Sequence, residues 1–501
     1  MRSNARSRWS RRVPLLALPF LVACTTNTSD LAPSTPNAPW PIKPPAIMER
    51  TADADRTAAE TNGGAASNPR DNAISIDPAR TYDLPELIDL AQRSNPETRD
   101  AWERARKAAF AVGLVESAYL PQISAEAVAG YQHATFPIPA NLAPSAQFTV
   151  DTRELLPTLA IKWLLFDFGR RANAETAARA DSFAANVTFT GAHQKLIFAV
   201  SRDYFALSAA RGRLHVAEEA LKNAQIVEDA VRTRRKQGFA TTVEVAQAAR
   251  QTAEARFNLA RTTGDEHSAY HALIASMGTA PTTRIKIADN SSKPLPPTPG
   301  HTVDEFVTSA MADRPDVIAA LGRLRGAQAK LDEAHADYKP TIGVEAQGFQ
   351  NIGSISVDNS RYYSINKPGG SILLKFSWPL FDGGAREARV GIARSDVNSA
   401  RDQLDQAKNT AVKQVTDAYD SLETGFAEHA SASALQTAAQ TAYDAALDAY
   451  GHGFGTYTEL VTSETALTRS QSALGDAHAD VFTAAAALAF ATGSISAQDA
   501  R

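Results

Sequence analysis

The sequence predicts an α+β protein made of two tandem copies of one unit, in which a helix is followed by two strands, a long helix and a second helix. Three observations predict this class. Short motifs recur at a separation of 215–219 residues. Each copy contains a stretch of alternating apolar and polar residues, which is typical of strands. Each copy also contains about 67 residues without a helix-breaking signal, which indicates a very long helix.

Matching motifs define the two copies. Residues 95–121, which begin with Asn-Pro and end with Leu-Pro, return as residues 314–340. The other main matches pair the Phe-Asp-x-Gly motif at 166–169 with 381–384, and Gly238 with Gly453. Because a repeat of this length carries its own set of elements, we expect both copies to fold in the same way.

The repeats and the composition of the other residues predict six segments. In chain order, they are a signal peptide at 1–23, a lipid-anchored flexible tether at 24–80, the first copy at 81–278, a Pro-rich linker at 279–300, the second copy at 301–493 and a tail at 494–501.

The first 23 residues have the layout of a secretory signal peptide. Five arginines and no acidic residue precede an apolar stretch, residues 13–23, that is too short to span a bilayer. The sequence Leu-Val-Ala-Cys at 21–24 resembles a bacterial lipobox, which is cut before the cysteine. Cys24 is therefore the expected lipid attachment site. The alternative is an ordinary signal peptide in which a cysteine lies there by chance.

Cleavage would leave an acidic exported chain. The net charge of −4 becomes −9 once the five arginines are removed. Nucleic-acid binding depends on Lys and Arg side chains that neutralise phosphates, so we exclude that class of partner. Acyl chains on Cys24 would anchor the chain to a membrane leaflet. By resemblance to lipoproteins of Gram-negative bacteria, Thr25 after the cysteine favours outer membrane lipid. The tether has no sustained apolar period, as expected for a flexible spacer.

Each copy begins with a helical stretch, roughly 84–118 and 302–337, which ends at an X-Pro dipeptide because the α conformation is disfavoured there. Two strands follow. In the return strand of the second copy Ile372 and Leu374 share one face and Lys375 lies on the other, so that one face suits lipid and the other suits water. The alternative is a half-buried sheet of a soluble protein. Loops around 133–156 and 350–370 are predicted to form the outer tips.

Very long helices follow the strands. They are predicted at 170–236 and 384–450, and each would turn back at a glycine, Gly238 or Gly453, into a return helix of about 36 residues. An alanine-rich seam in the second long helix favours close helix contacts and the wall of a tube. The alternative is a simple antiparallel coiled coil without a lumen.

Four strands per chain cannot stand alone in lipid, because the two edge strands would have unpaired backbone groups. The sheet is therefore expected to be shared between chains. Two chains would give eight strands, whose side chains fill the interior, whereas three would give twelve strands and a lumen. We expect a homotrimer.

The order helix, Asn-Pro, helix, Leu-Pro, strand pair, Phe-Asp-x-Gly, long helix, glycine turn and return helix, given twice, resembles the TolC family of outer membrane efflux and secretion proteins. The motif at 21–24 resembles its lipoprotein (OprM-like) branch. The resemblance implies a trimeric 12-stranded transmembrane β-barrel continued by a periplasmic α-helical coiled-coil barrel. It also implies a periplasmic adaptor (membrane fusion) protein and an inner-membrane pump as partners, with an RND pump favoured and an ABC pump as the alternative.

The resemblance also places a periplasmic gate at the last glycine turn. Tyr450 matches the family's gating tyrosine, and Glu459 stands where an acidic pore residue is expected. In the first copy Glu244 corresponds to Glu459, so a trimer would carry up to six carboxylates near the tip and favour cations there. The alternative for each glutamate is a solvated side chain on a helix surface. Gly455 stands where some members have an arginine, and Thr462 where a second acid can lie.

The resemblance implies the exit duct of a tripartite efflux system, which passes small molecules or drugs from the pump to the exterior. The alternatives are the outer membrane component of type I protein secretion and a lipid-anchored periplasmic coiled coil with a structural or adaptor role. We expect no enzyme activity, no catalytic residue, no metal site and no cofactor, because no catalytic motif is present. The expected location is the cell outer membrane, with a long periplasmic extension.

Overall fold

A computed structural model describes residues 28–42, 77–137 and 147–496. These residues are mostly helical and include one antiparallel sheet. The helices are α1 (Leu84–Ser94), α2 (Pro96–Glu116), α3 (Arg170–Lys236), α4 (Thr242–Ser276), α5 (Val303–Asp313), α6 (Pro315–Ala336), α7 (Ala385–His452) and α8 (Tyr457–Thr492). The strands are β1 (Thr81–Tyr82), β2 (Gln122–Pro137), β3 (Gln147–Phe166), β4 (Lys286–Ile287), β5 (Thr341–Val357) and β6 (Tyr363–Ser377).

In these three ranges, no helix combines the length and the apolar character needed to cross a membrane.

The chain divides into two compact units. Of the described residues, the sheet unit contains 28–32, 107–137, 147–182 and 325–398. The helical unit contains 33–42, 77–106, 183–324 and 399–496.

The sheet unit contains the four long strands in the order β2-β3-β5-β6, all antiparallel. The register places Ile161 between Ile123 and Ala346, and it places Lys162 between Gln122 and Glu345. Since neighbouring residues of a strand point to opposite faces, one face is apolar and the other carries the charges. The apolar face is exposed, with Ile372 and Leu374 81% and 72% accessible.

The predicted loops at 133–156 and 350–370 are wrong for most of their length. β2 continues to Pro137, β3 begins at Gln147, and the second pair is joined by the short stretch 358–362. Polar residues occur on both faces at this end of the sheet, so the apolar alternation stops, although the backbone ladder continues.

The strand-to-helix junctions explain the Phe-Asp-x-Gly motif. In the first junction Asp167 accepts hydrogen bonds from the backbone N–H and from Nε of Arg171, at 3.0 and 2.8 Å. The Arg171 guanidinium lies 4.7 Å from the centre of the Tyr119 ring. Asp382, Arg386 and Tyr338 repeat this arrangement in the second junction.

In the helical unit, each predicted first helical stretch is divided in two by a proline. Pro96 and Pro315 open the second helix of each pair, a position at which the missing N–H costs nothing. The preceding residues hold the return helices: Asn95 Nδ2 donates to Ser276 O at 3.1 Å, and Arg314 Nη1 donates to Ala491 O at 2.9 Å.

Part of the segment predicted as a flexible tether packs on these helices. Trp102 Nε1 donates to Pro33 O at 2.7 Å, and Thr190 Oγ1 donates to Trp40 O at 2.8 Å. The Trp40 ring contacts Phe183 edge to face, with ring centres 5.8 Å apart. Residues 33–42 are therefore held on the helical unit, because the backbone carbonyls of Pro33 and Trp40 accept hydrogen bonds from its side chains. This part of the predicted tether is not a free spacer.

Candidate functional site

The candidate site is formed by the two glycine turns of the helical unit, which join α3 to α4 and α7 to α8. Gly238 and Gly453 both have φ of +84°, a conformation that favours glycine. The turns share one hydrogen-bond pattern: Phe239 N donates to Arg234 O at 2.8 Å, and Phe454 N donates to Ala449 O at 2.9 Å. The predicted turns lie at these two glycines.

The helices that leave the turns begin with capping boxes. Thr241 N donates to Glu244 Oε2 at 2.6 Å, and Thr456 N donates to Glu459 Oε2 at 2.9 Å. In return each threonine hydroxyl accepts from the backbone N–H of its glutamate, at 3.1 and 3.2 Å. Each carboxylate thus accepts a hydrogen bond from a backbone N–H at the start of its own helix, where the helix itself offers no partner.

Glu459 is exposed at its cap, whereas Glu244 is half-buried. The hydrogen bond from the Thr456 backbone lowers the pKa of Glu459, so this carboxylate is charged at neutral pH. A place in the pore for either carboxylate stays a prediction.

Tyr450 is buried at the end of α7, next to the second turn. Its ring lies 4.7 Å from the guanidinium of Arg234, the last-turn residue of α3, and Arg234 Nη1 donates to the Tyr450 carbonyl oxygen. The Tyr457 ring meets Tyr450 edge to face, with centres 6.2 Å apart. Two helix hairpins are therefore joined at Tyr450 by a cation–π contact and a charge-assisted hydrogen bond.

An apolar cluster surrounds these side chains, and we call it the tip cluster. Its buried members are Val227, Val231, Ala240, Ala248, Ala439, Tyr443, Tyr450, Tyr457, Leu460 and Leu467. All four helices that meet at the turns contribute, so the packing of the tip depends on the pairing of both hairpins.

A side chain at Gly455 would be crowded by the end of α7. A Cβ built there would lie 3.0 Å from Tyr450 N and 3.1 Å from Ala449 Cβ. An arginine at this position would require its neighbours in the turn to shift by a few tenths of an ångström. The cation beside Tyr450 comes instead from Arg234 of the first copy.

The sequence alone did not predict Arg234, Tyr457 or Glu464 as site residues. Arg234 belongs to a run of basic residues in the last turn of α3, which is a common way to end a helix. Glu464 follows Tyr457 and Leu460 at helical spacing, which places its carboxyl group on the apolar face of α8. This acidic residue on an apolar face is the sequence signal that could have identified Glu464. Cys24 lies outside the described residues.

Comparison with known proteins identifies the family. The family model of outer membrane efflux proteins matches residues 87–279 and 306–494. The chain belongs to the outer membrane efflux protein family. The predicted resemblance to the TolC family is thereby confirmed, and this outer membrane efflux protein takes part in transport across the outer membrane.

Several relatives cover most of this outer membrane efflux protein. It is 27% identical to CyaE of Bordetella pertussis over 350 residues, 69% of this chain and 70% of that one. It is 24% identical to the cation efflux system protein CusC of Escherichia coli K12 over 468 residues, 92% and 95% of the two chains. The crystal structure of VceC from Vibrio cholerae superposes with a TM-score of 0.68 at 21% identity, over 82% of this chain and 96% of that one.

Proposed function

We propose that this protein is the exit duct of a tripartite efflux system and acts as a homotrimer. In the trimer the strands of three chains form a 12-stranded β-barrel in the outer membrane, and the helices form a periplasmic tunnel that is closed at the tip cluster. Small molecules that an inner-membrane pump delivers pass through it passively. Cys24 carries the lipid that ties each chain to the same membrane.

The observation that carries the proposal is the sheet with one apolar face. Four long strands expose a continuous apolar surface that includes Ile372 and Leu374, while Lys162, Glu345 and Lys375 lie on the opposite face. β2 and β6 are the edges of this sheet in the described residues. An apolar outer face requires lipid around it, and edges in lipid require strands from other copies.

The adaptor surface in this proposal is the pair of turn phenylalanines. Phe239 and Phe454 follow the turn glycines, and 72% and 90% of their surfaces are accessible. Two exposed aromatic rings at equivalent points of the two hairpins provide apolar anchors of the kind that carry binding energy in interfaces. A helical hairpin of a periplasmic adaptor protein is the partner that fits a helix tip of this kind, and an RND pump would lie behind it.

The oligomeric part of the proposal is tested on the mature full chain purified in mild detergent. Native mass spectrometry should give a complex of three chains, each with acyl groups on its N-terminal cysteine. A monomer under the same conditions would contradict the shared barrel. A trimer without acyl groups would contradict only the lipid anchor, so the two parts are tested separately.

The adaptor part is tested by replacing Phe239 and Phe454 together with serine. The double variant should keep its trimer mass and lose cross-linking to an adaptor in cells. Phe257, a 69% accessible phenylalanine on α4, provides the matched control. Unchanged cross-linking of the double variant would show that the adaptor binds elsewhere.

A further inference from the structure

Glu464 lies among the apolar side chains of the tip cluster. Its side chain is 4% exposed, and Oε2 has no hydrogen-bond partner in the described structure. Leu460 precedes it by four residues and Leu467 follows it by three, so the carboxyl group is on the buried face of α8. A buried acid without a partner is costly to keep and therefore calls for an explanation.

Two tyrosines interact electrostatically with this carboxyl group. They are Tyr443 on α7 and Tyr457 on α8 itself, and the charge of Glu464 contributes to the raised pKa of both, after burial. Burial together with Glu464 raises the pKa of Tyr457 to about 12, so both hydroxyls stay protonated in the physiological range. The Tyr457 hydroxyl is also buried without a partner among the described residues.

The charged groups of α3 and α4 that act on the neighbouring Tyr457 have ion-pair partners of their own. Glu228 on α3 and Arg250 on α4 act on Tyr457, and each is paired on its own helix, with Arg232 and Glu254 respectively. No ion pair of Glu464 occurs in the part of the chain that the structure describes. Burial alone raises the pKa of Glu464 to about 7.

We propose that Glu464 is a proton-controlled latch of the helix tip. The protonated acid fits the apolar cluster and lets α7 and α8 close against α3 and α4. The ionised acid favours a loosened tip in which the carboxylate reaches water. The inference deepens the proposed function, since it makes opening of the gate depend on pH.

The sign follows from the two protonation states. The acid has its ordinary pKa of 4.5 when the tip is loosened and a pKa of about 7 when the tip is packed, so the packed tip binds more protons. The packed arrangement is therefore stable at low pH. It loses stability as the pH rises from about 4.5 to 7, and the loss is complete above that.

Hydrogen–deuterium exchange of the full chain in detergent tests the latch without requiring a channel. After correction for intrinsic exchange, protection of residues 440–467 should fall roughly 50-fold from pH 5 to pH 8, because each unit of pKa difference gives a tenfold change. Glu464→Gln should keep the low-pH protection at both values. Glu464→Leu serves as a second variant that also lacks the titrating group, and Glu428→Gln, at an exposed position of α7, is the control.

Each outcome decides the matter. A wild-type tip with equal protection at both pH values overturns the latch, and so does a pH response that persists in Glu464→Gln and Glu464→Leu. Conductance of the wild type and of the Glu464 variants in planar bilayers tests the duct separately from the latch. If exchange responds to Glu464 but no sample conducts, the latch stands and the duct fails. If all conduct and none responds to pH, the duct stands and the latch fails.

Discussion

Arg234 and Tyr450 join the two helix hairpins at their tip. The guanidinium lies 4.7 Å from the centre of the tyrosine ring and also donates to the tyrosine carbonyl oxygen. One side chain of the first copy thus holds the end of the long helix of the second copy. The contact therefore stabilises the turn between α7 and α8, which follows Tyr450 and contains Gly453.

Replacing Arg234 should loosen this tip. Arg234→Gln removes the cation–π contact and the charge-assisted hydrogen bond, which together stabilise the tip by about 1–2 kcal/mol. Hydrogen exchange of residues 446–456 should become about 10-fold faster. Lys236→Gln, at an exposed position two residues away, is the control and should have no effect. Equal effects of both variants would indicate a general charge effect on the helix end.

The turn glycine of the second hairpin should resist substitution. Gly453→Ala places a Cβ at φ of +84° and should destabilise the protein by about 1 kcal/mol. Gly451→Ala, inside the last turn of α7 with open space around the new Cβ, should stabilise it slightly. The thermal unfolding midpoints should therefore move in opposite directions. A shift of both in the same direction would contradict the assigned turn geometry.

The two strand-to-helix junctions should differ in sensitivity. Asp167 and Arg171 are both less than 10% exposed, whereas the side chain of Asp382 is 27% exposed. Asp167→Asn leaves a buried guanidinium without its counter-charge and should cost about 3–5 kcal/mol. Asp382→Asn should cost less, since water screens this pair. Urea unfolding followed by tryptophan fluorescence measures both, and a larger loss for Asp382→Asn would contradict the burial difference.

Adjacent residues of β6 should respond in opposite ways to a new charge. Leu374 lies on the apolar face, and Leu373 lies on the face of Glu345, its register partner. Leu374→Arg should cost about 2–4 kcal/mol of folding free energy in a lipid bilayer, and Leu373→Arg should be tolerated. Folding yield into liposomes under a urea gradient measures the difference. Equal yields would mean that the apolar face does not meet lipid.

Much of the fold follows from signals that are local in the sequence. Pro121 and Pro340 follow the first helical stretches of the two copies, and Gly238 and Gly453 follow the long helices. The helix α3 covers the predicted residues 170–236. The strands are longer than their alternation indicates. His133 still pairs with Asp151 in the ladder, because backbone hydrogen bonds continue where the apolar face ends.

The site was predictable where a single turn defines it. Gly238 and Gly453 could be found because a glycine that ends a helix is a local signal, whereas Tyr450 was named through the family resemblance. Arg234 was missed because its partner Tyr450 lies 216 residues away and no local pattern links them. Glu464 was missed because its burial is a property of four packed helices. The capping role of Glu244 and Glu459 was readable, since Thr-x-x-Glu before a helix is itself a signature.

Single-channel conductance tests the central proposal most directly. The mature chain, reconstituted in planar bilayers, should give discrete conductance steps, with Arg234→Gln open for a larger fraction of time than the wild type and Lys236→Gln unchanged. This result is expected if three chains enclose a lumen that the tip closes. A wild type and an Arg234→Gln variant that both insert and give no steps would contradict the account.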